Sequence, residues 1–241
     1  MLVIAHRGAS GHRPENTLSA IEYALTLGAT AVELDVHFVD GELYVFHDRR
    51  LEFKSTGVGV IDRQTQQQLQ HYTVAGEAIP TLMQVMQLVA GRAMVNIELK
   101  GVDTLAPFIR QYPHFLQDFG FSPEQLVISS FNHRYLKAVR QALPQAAIGI
   151  LYGGIPLSIE QDIAAIAPTS LHLDINFISR EMLQLAKAHQ LKTYVYTVDF
   201  VDDIKALEQL GVDGIFTNFP DRAFQALAQQ QPAVENVHWF E

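Results

Sequence analysis

AVELDVHF, residues 31–38, alternates strictly: Val32, Leu34 and Val36 fall on one face of an extended segment, and Glu33, Asp35 and His37 on the other. What the acidic face looks at depends on the sheet around it. Short apolar runs of the same kind recur along the chain: LVIAH, AVELDVHF, MVNIEL, LVISSF, AIGILY, SLHLD, TYVYTV and DGIFTN. Between them lie stretches of helical period, among them TLSAIEYAL before Gly28, TLMQVMQLVA before Gly91, HRYLKAVRQAL before Pro144, SREMLQLAKAH, and DDIKALEQL before Gly211. Strand and helix in regular alternation describe βα units on a parallel sheet, with Gly and Pro as the stops.

Eight strand candidates in 241 residues suit an α/β fold of one kind, a (β/α)8 TIM barrel with a short insertion after the second strand. The alternative is a doubly wound open sheet, and it is weakened because no Gly-rich dinucleotide turn follows the first strand. The irregular part is residues 48–80, where LYVFH leads into RRLEFKSTGVGVIDRQTQQQLQHY without a clean sheet-facing helix. We read it as an extended, lid-like connection over the barrel mouth. No linker or repeat divides the chain, so residues 1–241 are expected to form a single domain. The terminal QQQPAVENVHWFE, with the lone Trp239, is expected to pack on that domain.

Composition excludes several classes. A formal charge of -9 without Lys/Arg clusters argues against nucleic acid and against anionic membrane surfaces. With no Cys there is no disulfide, thiol catalysis or thiolate zinc site. LVIA runs directly into His6 without a basic n-region or long apolar h-region, and no segment approaches the roughly 18 apolar residues of a membrane span. These features read as a cytoplasmic protein without membrane insertion.

In a barrel the apolar face of a strand packs on helices, so Glu33 and Asp35 point inward, where uncompensated charge is costly. MVNIELK repeats the pattern: Asn96, Glu98 and Lys100 oppose Val95, Ile97 and Leu99. A single acid in a strand would more often be an ion pair. Three inward carboxylates from neighbouring strands instead make an oxygen-rich site for one hard divalent cation, Mg2+ or Ca2+, with Mn2+ a further candidate.

HRGASGHRPENT, residues 6–17, concentrates charge and imidazole in the first loop. His6 ends the first strand and His47 ends LYVFH, at the face where barrels gather active-site residues. A His pair can supply a general acid and a general base across one bond. His37 extends the Glu33, Asp35 face by one step and is expected at the mouth rather than as a fourth ligand. His12, His71, His114, His133, His172, His189 and His238 are assigned to the surface. Asn16 is expected to cap the helix that follows, and Glu15 and Asn16 to brace His6 or Arg7.

These motifs, HRG and PENT, ELDV, HD at His47 and Asp48, IELK, ISSF, YTVD and GVDGIFTNFPD, run in the order of one family, and over most of its length the chain resembles the glycerophosphodiester phosphodiesterases. The resemblance implies that His6 and His47 are the acid/base pair, that Glu33, Asp35 and Glu98 hold the metal, and that Arg7 and Lys100 contact the phosphate. Three positions depart from the family pattern: Tyr196 where Trp is usual, Asp199 where Asn is usual, and Asn218 where Asp is frequent. They are expected to shape the alcohol or glycerol pocket. Phe131 and Tyr196 are the candidate pocket walls for substrate binding.

The reaction this implies is metal-dependent hydrolysis of a small-molecule glycerophosphodiester to an alcohol and sn-glycerol 3-phosphate, by a monomer or homodimer. The sequence leaves open which His is acid and which base, and whether water or a glycerol hydroxyl attacks. Two other readings are a lysophospholipase D-type enzyme, which exposed apolar side chains at the mouth would favour, and a catalytically silent metal- or phosphate-binding barrel. A metal-dependent sugar isomerase on the same fold would not need Arg7 and Lys100 together.

Overall fold

The computed structural model describes residues 1–229, so His238 and Trp239 lie outside the described residues. The chain opens with β1 (Leu2–Ala5), α1 (Leu18–Thr26), β2 (Ala31–Val39) and β3 (Glu42–Val45). Four small elements follow: a 3-10 turn at Ile61–Arg63, α2 (Gln66–Leu69), β4 (Thr73–Val74) and β5 (Glu77–Ala78). Then come α3 (Leu82–Val89), β6 (Met94–Leu99), α4 (Leu105–Asp118), β7 (Leu126–Ser130), α5 (His133–Ala142), β8 (Ala147–Tyr152) and α6 (Ile159–Ile166). The last units are β9 (Ser170–Asp174), α7 (Arg180–Ala188), β10 (Lys192–Tyr196), α8 (Val201–Gln209), β11 (Gly214–Thr217) and α9 (Pro220–Ala228).

All eight barrel strands expected from periodicity form. They run in parallel in the order β1, β2, β6, β7, β8, β9, β10, β11, and β1 pairs with both β2 and β11, which closes the barrel. Register explains the face assignment: Glu33 lies beside Asn96 and Asp35 beside Glu98, while Val32, Leu34 and Val36 are fully buried in the layer between strands and helices. Each such apolar side chain contributes roughly 1.5–3 kcal/mol on leaving water, and slipping β2 by one residue would forfeit them together.

LYVFH does not approach the mouth as a barrel strand. Asp40 and Gly41, both at positive φ, turn the chain into a tight hairpin, and β3 runs antiparallel to β2 from Glu42, opposite Val39, to Val45, opposite Val36. β2 therefore projects beyond the barrel, and β3 descends to bring His47 back to the level of Asp35, whose carbonyl accepts from the Phe46 N–H. The excursion ends where the Pro80 carbonyl accepts from the Val45 N–H. Between these points the insertion has a core of its own, Leu51, Ile61, Leu69, Val74 and Ile79, packed with Val39, Tyr44 and Phe46. Those three precede residue 48, so the packed unit begins in the hairpin.

Candidate active site

The first loop is built around a close approach. Gly8 has φ +78°, and a Cβ there would lie 2.5 Å from the carbonyl carbon of Ala20 in α1, so the HRG turn can fold against the helix only with glycine. The turn sets Arg7 at φ 56°, with its N–H donating to Glu33 Oε2 at 2.9 Å. Its guanidinium donates to Glu15 (2.9 Å) and pairs through Nε with Asp35 (3.3 Å). Lys54 of the insertion donates to the other oxygen of Glu15 at 2.9 Å, tying insertion and loop together.

Glu33, Asp35 and Glu98 each offer a carboxylate oxygen, and these atoms lie within 4.8 Å of one another. Glu33 and Asp35 are 2% and 1% exposed. Lys100 donates to Glu98 (2.9 Å) and approaches Asp35 at 3.6 Å. Two cations do not balance this cluster. Burial, and then the neighbouring Asp35, push Glu98 up to about 7 and hold Glu33 well above the carboxylate range. Burial opposes the Asp35 carboxylate too, but Arg7 and Lys100 outweigh it and keep Asp35 below its ordinary value. Asn96 Oδ1, on the same cavity wall, is buried and finds no partner among the described residues. Three oxygen donors, two of them short of positive charge, beside an orphaned amide oxygen fit a hard divalent cation.

His6 and His47 line one cavity of about 150 Å3 together with Arg7, Glu33, Glu98 and Lys100. Each has its Nδ1 occupied from behind. His6 Nδ1 lies 2.8 Å from the Asn218 side-chain oxygen, and His47 Nδ1 donates to the Asp48 carboxylate at 2.6 Å. Burial, with Arg7 adding to it, lowers His6 to about 4. The Phe131 and Tyr196 rings meet edge to face at 6.2 Å on the same cavity, with Lys100 Nζ 5.9 Å from the Phe131 centroid. Every candidate from the sequence is thus drawn to one place, Asp35 lying just below the lining.

Several expectations change. Asn16 is not the helix cap. Thr17 is, accepting from the Ala20 N–H, while Asn16 at φ 59° donates to Asp35 at 2.9 Å. Asp199 and Asn218 do not line the cavity but stand behind His6. His37, 3% exposed, donates to the His47 carbonyl at 3.1 Å and so anchors the backbone of that loop. His172, assigned to the surface, is fully buried inside the barrel, because it lies on the inward face of β9. Two sequence signals could have found these placements: the Asp40-Gly41 pair for the hairpin that delivers His47, and Gly149 in mid-strand beside His172.

Residues 6–222 match the model of the glycerophosphoryl diester phosphodiesterase family. The chain is 35% identical over 231 residues to a glycerophosphodiester phosphodiesterase of Caldanaerobacter subterraneus subsp. tengcongensis, covering 91% of this chain and 95% of that one. It is 33% identical over 239 residues to one of Bacillus altitudinis, covering 92% and 96%. Among solved structures, an Oleispira antarctica phosphodiesterase in complex with the product sn-glycerol-3-phosphate superposes with a TM-score of 0.87 at 26% identity, covering 95% of this chain and 97% of that one.

Proposed function

The chain belongs to the glycerophosphoryl diester phosphodiesterase family, whose members are phosphoric diester hydrolases, and from that premise we propose that it cleaves sn-glycero-3-phosphoalcohols to an alcohol and sn-glycerol 3-phosphate. The observation that carries this reading is the meeting of two carboxylates, two histidines and two fixed cations on one cavity, with the third carboxylate, Asp35, grouped with them just beneath its lining. Sn-glycerol 3-phosphate, the product held by the Oleispira relative, is the one this reaction would release.

Glu33, Asp35 and Glu98 would hold one divalent cation, Mg2+ or Ca2+, with Mn2+ the next candidate. When bound, such an ion supplies Lewis acidity toward a phosphate oxygen and offsets the carboxylate charge. Arg7 and Lys100 donate to the other phosphate oxygens, where charge grows in the transition state. One histidine takes the proton of the attacking water as the new P–O bond forms; where the adjacent glycerol hydroxyl attacks instead, the cyclic phosphate that results is opened by water in a second round of the same proton transfers. The other gives a proton to the alkoxide as the old bond breaks, so charge and protons balance. Phe131 and Tyr196 wall the alcohol side.

The test is release of glycerol 3-phosphate from glycerophosphocholine or glycerophosphoethanolamine by purified protein, with EDTA and with Mg2+, Mn2+ or Ca2+ added back. Metal-dependent release is the expected result. No release by folded protein with any metal would overturn the reading.

One observation favours a second substrate. No helix among the described residues is long and apolar enough to cross a membrane. Yet their exposed large apolar side chains, including Phe53, Val58, Val102, Leu157, Phe177 and Phe200, all follow the C-terminal ends of barrel strands or sit on the insertion, on the mouth side. Such a rim suits the single acyl chain of a lysophospholipid. Lysophosphatidylcholine in the same assay tests this: choline release exceeding that from glycerophosphocholine would favour the second reading, and the reverse would set it aside.

A further inference from the structure

His6 is held by a chain of polar contacts from the far side of the barrel closure. Its Nδ1 lies 2.8 Å from Asn218 Oδ1, and the Asn218 Nδ2 in turn lies 2.6 Å from Asp199 Oδ2. The other Asp199 oxygen accepts from the Asn218 N–H at 2.8 Å and from the Thr217 hydroxyl at 3.0 Å. An amide has one accepting and one donating end. A carboxylate can only accept here, so Nδ2 must face Asp199 and Oδ1 must face His6. The Ser10 hydroxyl lies 2.7 Å from the same Oδ1 and from the His6 carbonyl, and its single O–H serves one of the two.

We infer that Asp199 and Asn218 are a positioning pair that fixes the proton of neutral His6 on Nδ1, leaving the Nε2 lone pair turned toward the cavity. An oxygen facing Nδ1 admits only an N–H there. The Nε2 atom lies 3.9 Å from Glu33, on the carboxylate side. The inference deepens the proposed hydrolysis: an imidazole locked in this tautomer offers a proton acceptor at Nε2, which suits His6 to take the proton of the attacking group. Asp199 never touches substrate and acts only by orienting the amide.

The geometry also says which changes are tolerated. Asn218→Asp alone sets two carboxylates face to face where 2.6 Å now separates donor from acceptor. Exchanging both residues, Asp199→Asn with Asn218→Asp, satisfies every partner again. The amide at 199 donates to the carboxylate at 218, still accepts from the backbone N–H and Thr217, and leaves an acceptor facing His6 Nδ1. Asn218→Leu removes the acceptor altogether.

The experiment is long-range 1H–15N NMR of the full-length protein near pH 8, with His6 identified by its loss in a His6→Gln sample, beside steady-state kinetics. The expected result is a single Nδ1–H tautomer for His6 in the wild type and in the exchanged double variant. Asn218→Leu should show mixed or Nε2–H imidazole. In kinetics, Asn218→Asp and Asn218→Leu should lose about 10- to 100-fold in kcat with KM changed far less, and the double variant should recover to within about fivefold of wild type. An Nε2–H tautomer in the wild type, an unchanged tautomer in Asn218→Leu, or a double variant no better than Asn218→Asp would each overturn the inference. The tautomer is read on resting protein, so it stands or falls separately from the substrate assignment, and the wild-type and double-variant spectra decide the matter even if Asn218→Leu does not fold.

Discussion

Two histidines lie inside the same barrel and share one physical circumstance. His172 is wholly enclosed and His6 is largely so, and burial lowers His6 to about 4 and His172 to about 3. Their surroundings separate them. His172 lies among Tyr194 and Phe216, with the Ser170 hydroxyl 2.9 Å from its Nε2 and no partner for Nδ1 among the described residues. Gly149 makes room for it: a Cβ there would lie 2.3 Å from its ring. His6 stands at the cavity with one nitrogen held by Asn218 and the other turned toward the carboxylates. Burial alone makes an inert imidazole. A fixed partner on one nitrogen and an accessible second nitrogen make a reactive one.

The strongest way to break this contrast is to delete the reactive partner. His6→Ala should lower kcat by about 10^2- to 10^4-fold, the range expected for loss of a general acid or base, while divalent-ion binding persists. Single-turnover kinetics with glycerophosphocholine, set beside calorimetric ion binding, check it. A loss below tenfold would mean that His6 is as structural as His172.

The next effect concerns Asn16, which holds Asp35 from a left-handed backbone position. Asn16→Ala should weaken Mn2+ or Mg2+ binding by about 10- to 100-fold, because an unbraced carboxylate must be ordered as it binds. Titration calorimetry reads this directly. An unchanged affinity would show that Arg7 and Lys100 suffice to place Asp35.

A smaller effect follows from pH. Glu98, near 7, and Glu33, well above its ordinary range, must shed protons to hold a cation, so ion affinity should fall by about tenfold or more per pH unit below about 7. The sign for stability is opposite. A carboxyl whose folded-state value is raised stabilises the ion-free protein at low pH, and that contribution is lost as pH rises through about 7. The rise in Tm on adding Mg2+ should therefore be larger at pH 8 than at pH 6. An equal rise at both would mean that the cluster is already ionised without metal.

The residues that could be read from sequence are those where local pattern and tertiary role coincide. Glu33, Asp35 and Glu98 declare themselves because period-two alternation fixes their face, and the same rule delivers all eight barrel strands. His6 follows because it ends a strand, whereas Arg7 and Lys100 come through the resemblance to the family, since position beside a strand would leave Arg7 a solvated loop residue. Asn16 and the Asp199–Asn218 pair were misplaced because their roles depend on backbone angle and long-range pairing. Asn16 lies where a helix cap is expected, yet a positive φ turns its side chain back to β2. Asn218 meets His6 across 212 residues because β11 closes the barrel against β1. His172 was misjudged for a simpler reason: a polar residue on the inward face of a strand is buried whether or not it has work to do.

The smallest effect on activity should come from that residue, and its stability effect has a definite sign. His172→Leu removes an imidazole with an unpartnered nitrogen but leaves Ser170 without its bond, so kcat should stay within about threefold of wild type. His172 is held neutral in the fold, whereas an exposed imidazole in the unfolded chain takes up a proton near 6.5. Stability from this group is therefore complete above about pH 6.5 and drains away as pH falls toward about 3. At pH 5 the cost is about 2 kcal/mol, and leucine is free of it. Denaturant unfolding at pH 7 and pH 5 should show wild type losing more stability than His172→Leu by roughly that amount. Equal losses would show that the buried ring already finds a proton in the fold, and with it a partner that would make the two histidines more alike than their surroundings indicate.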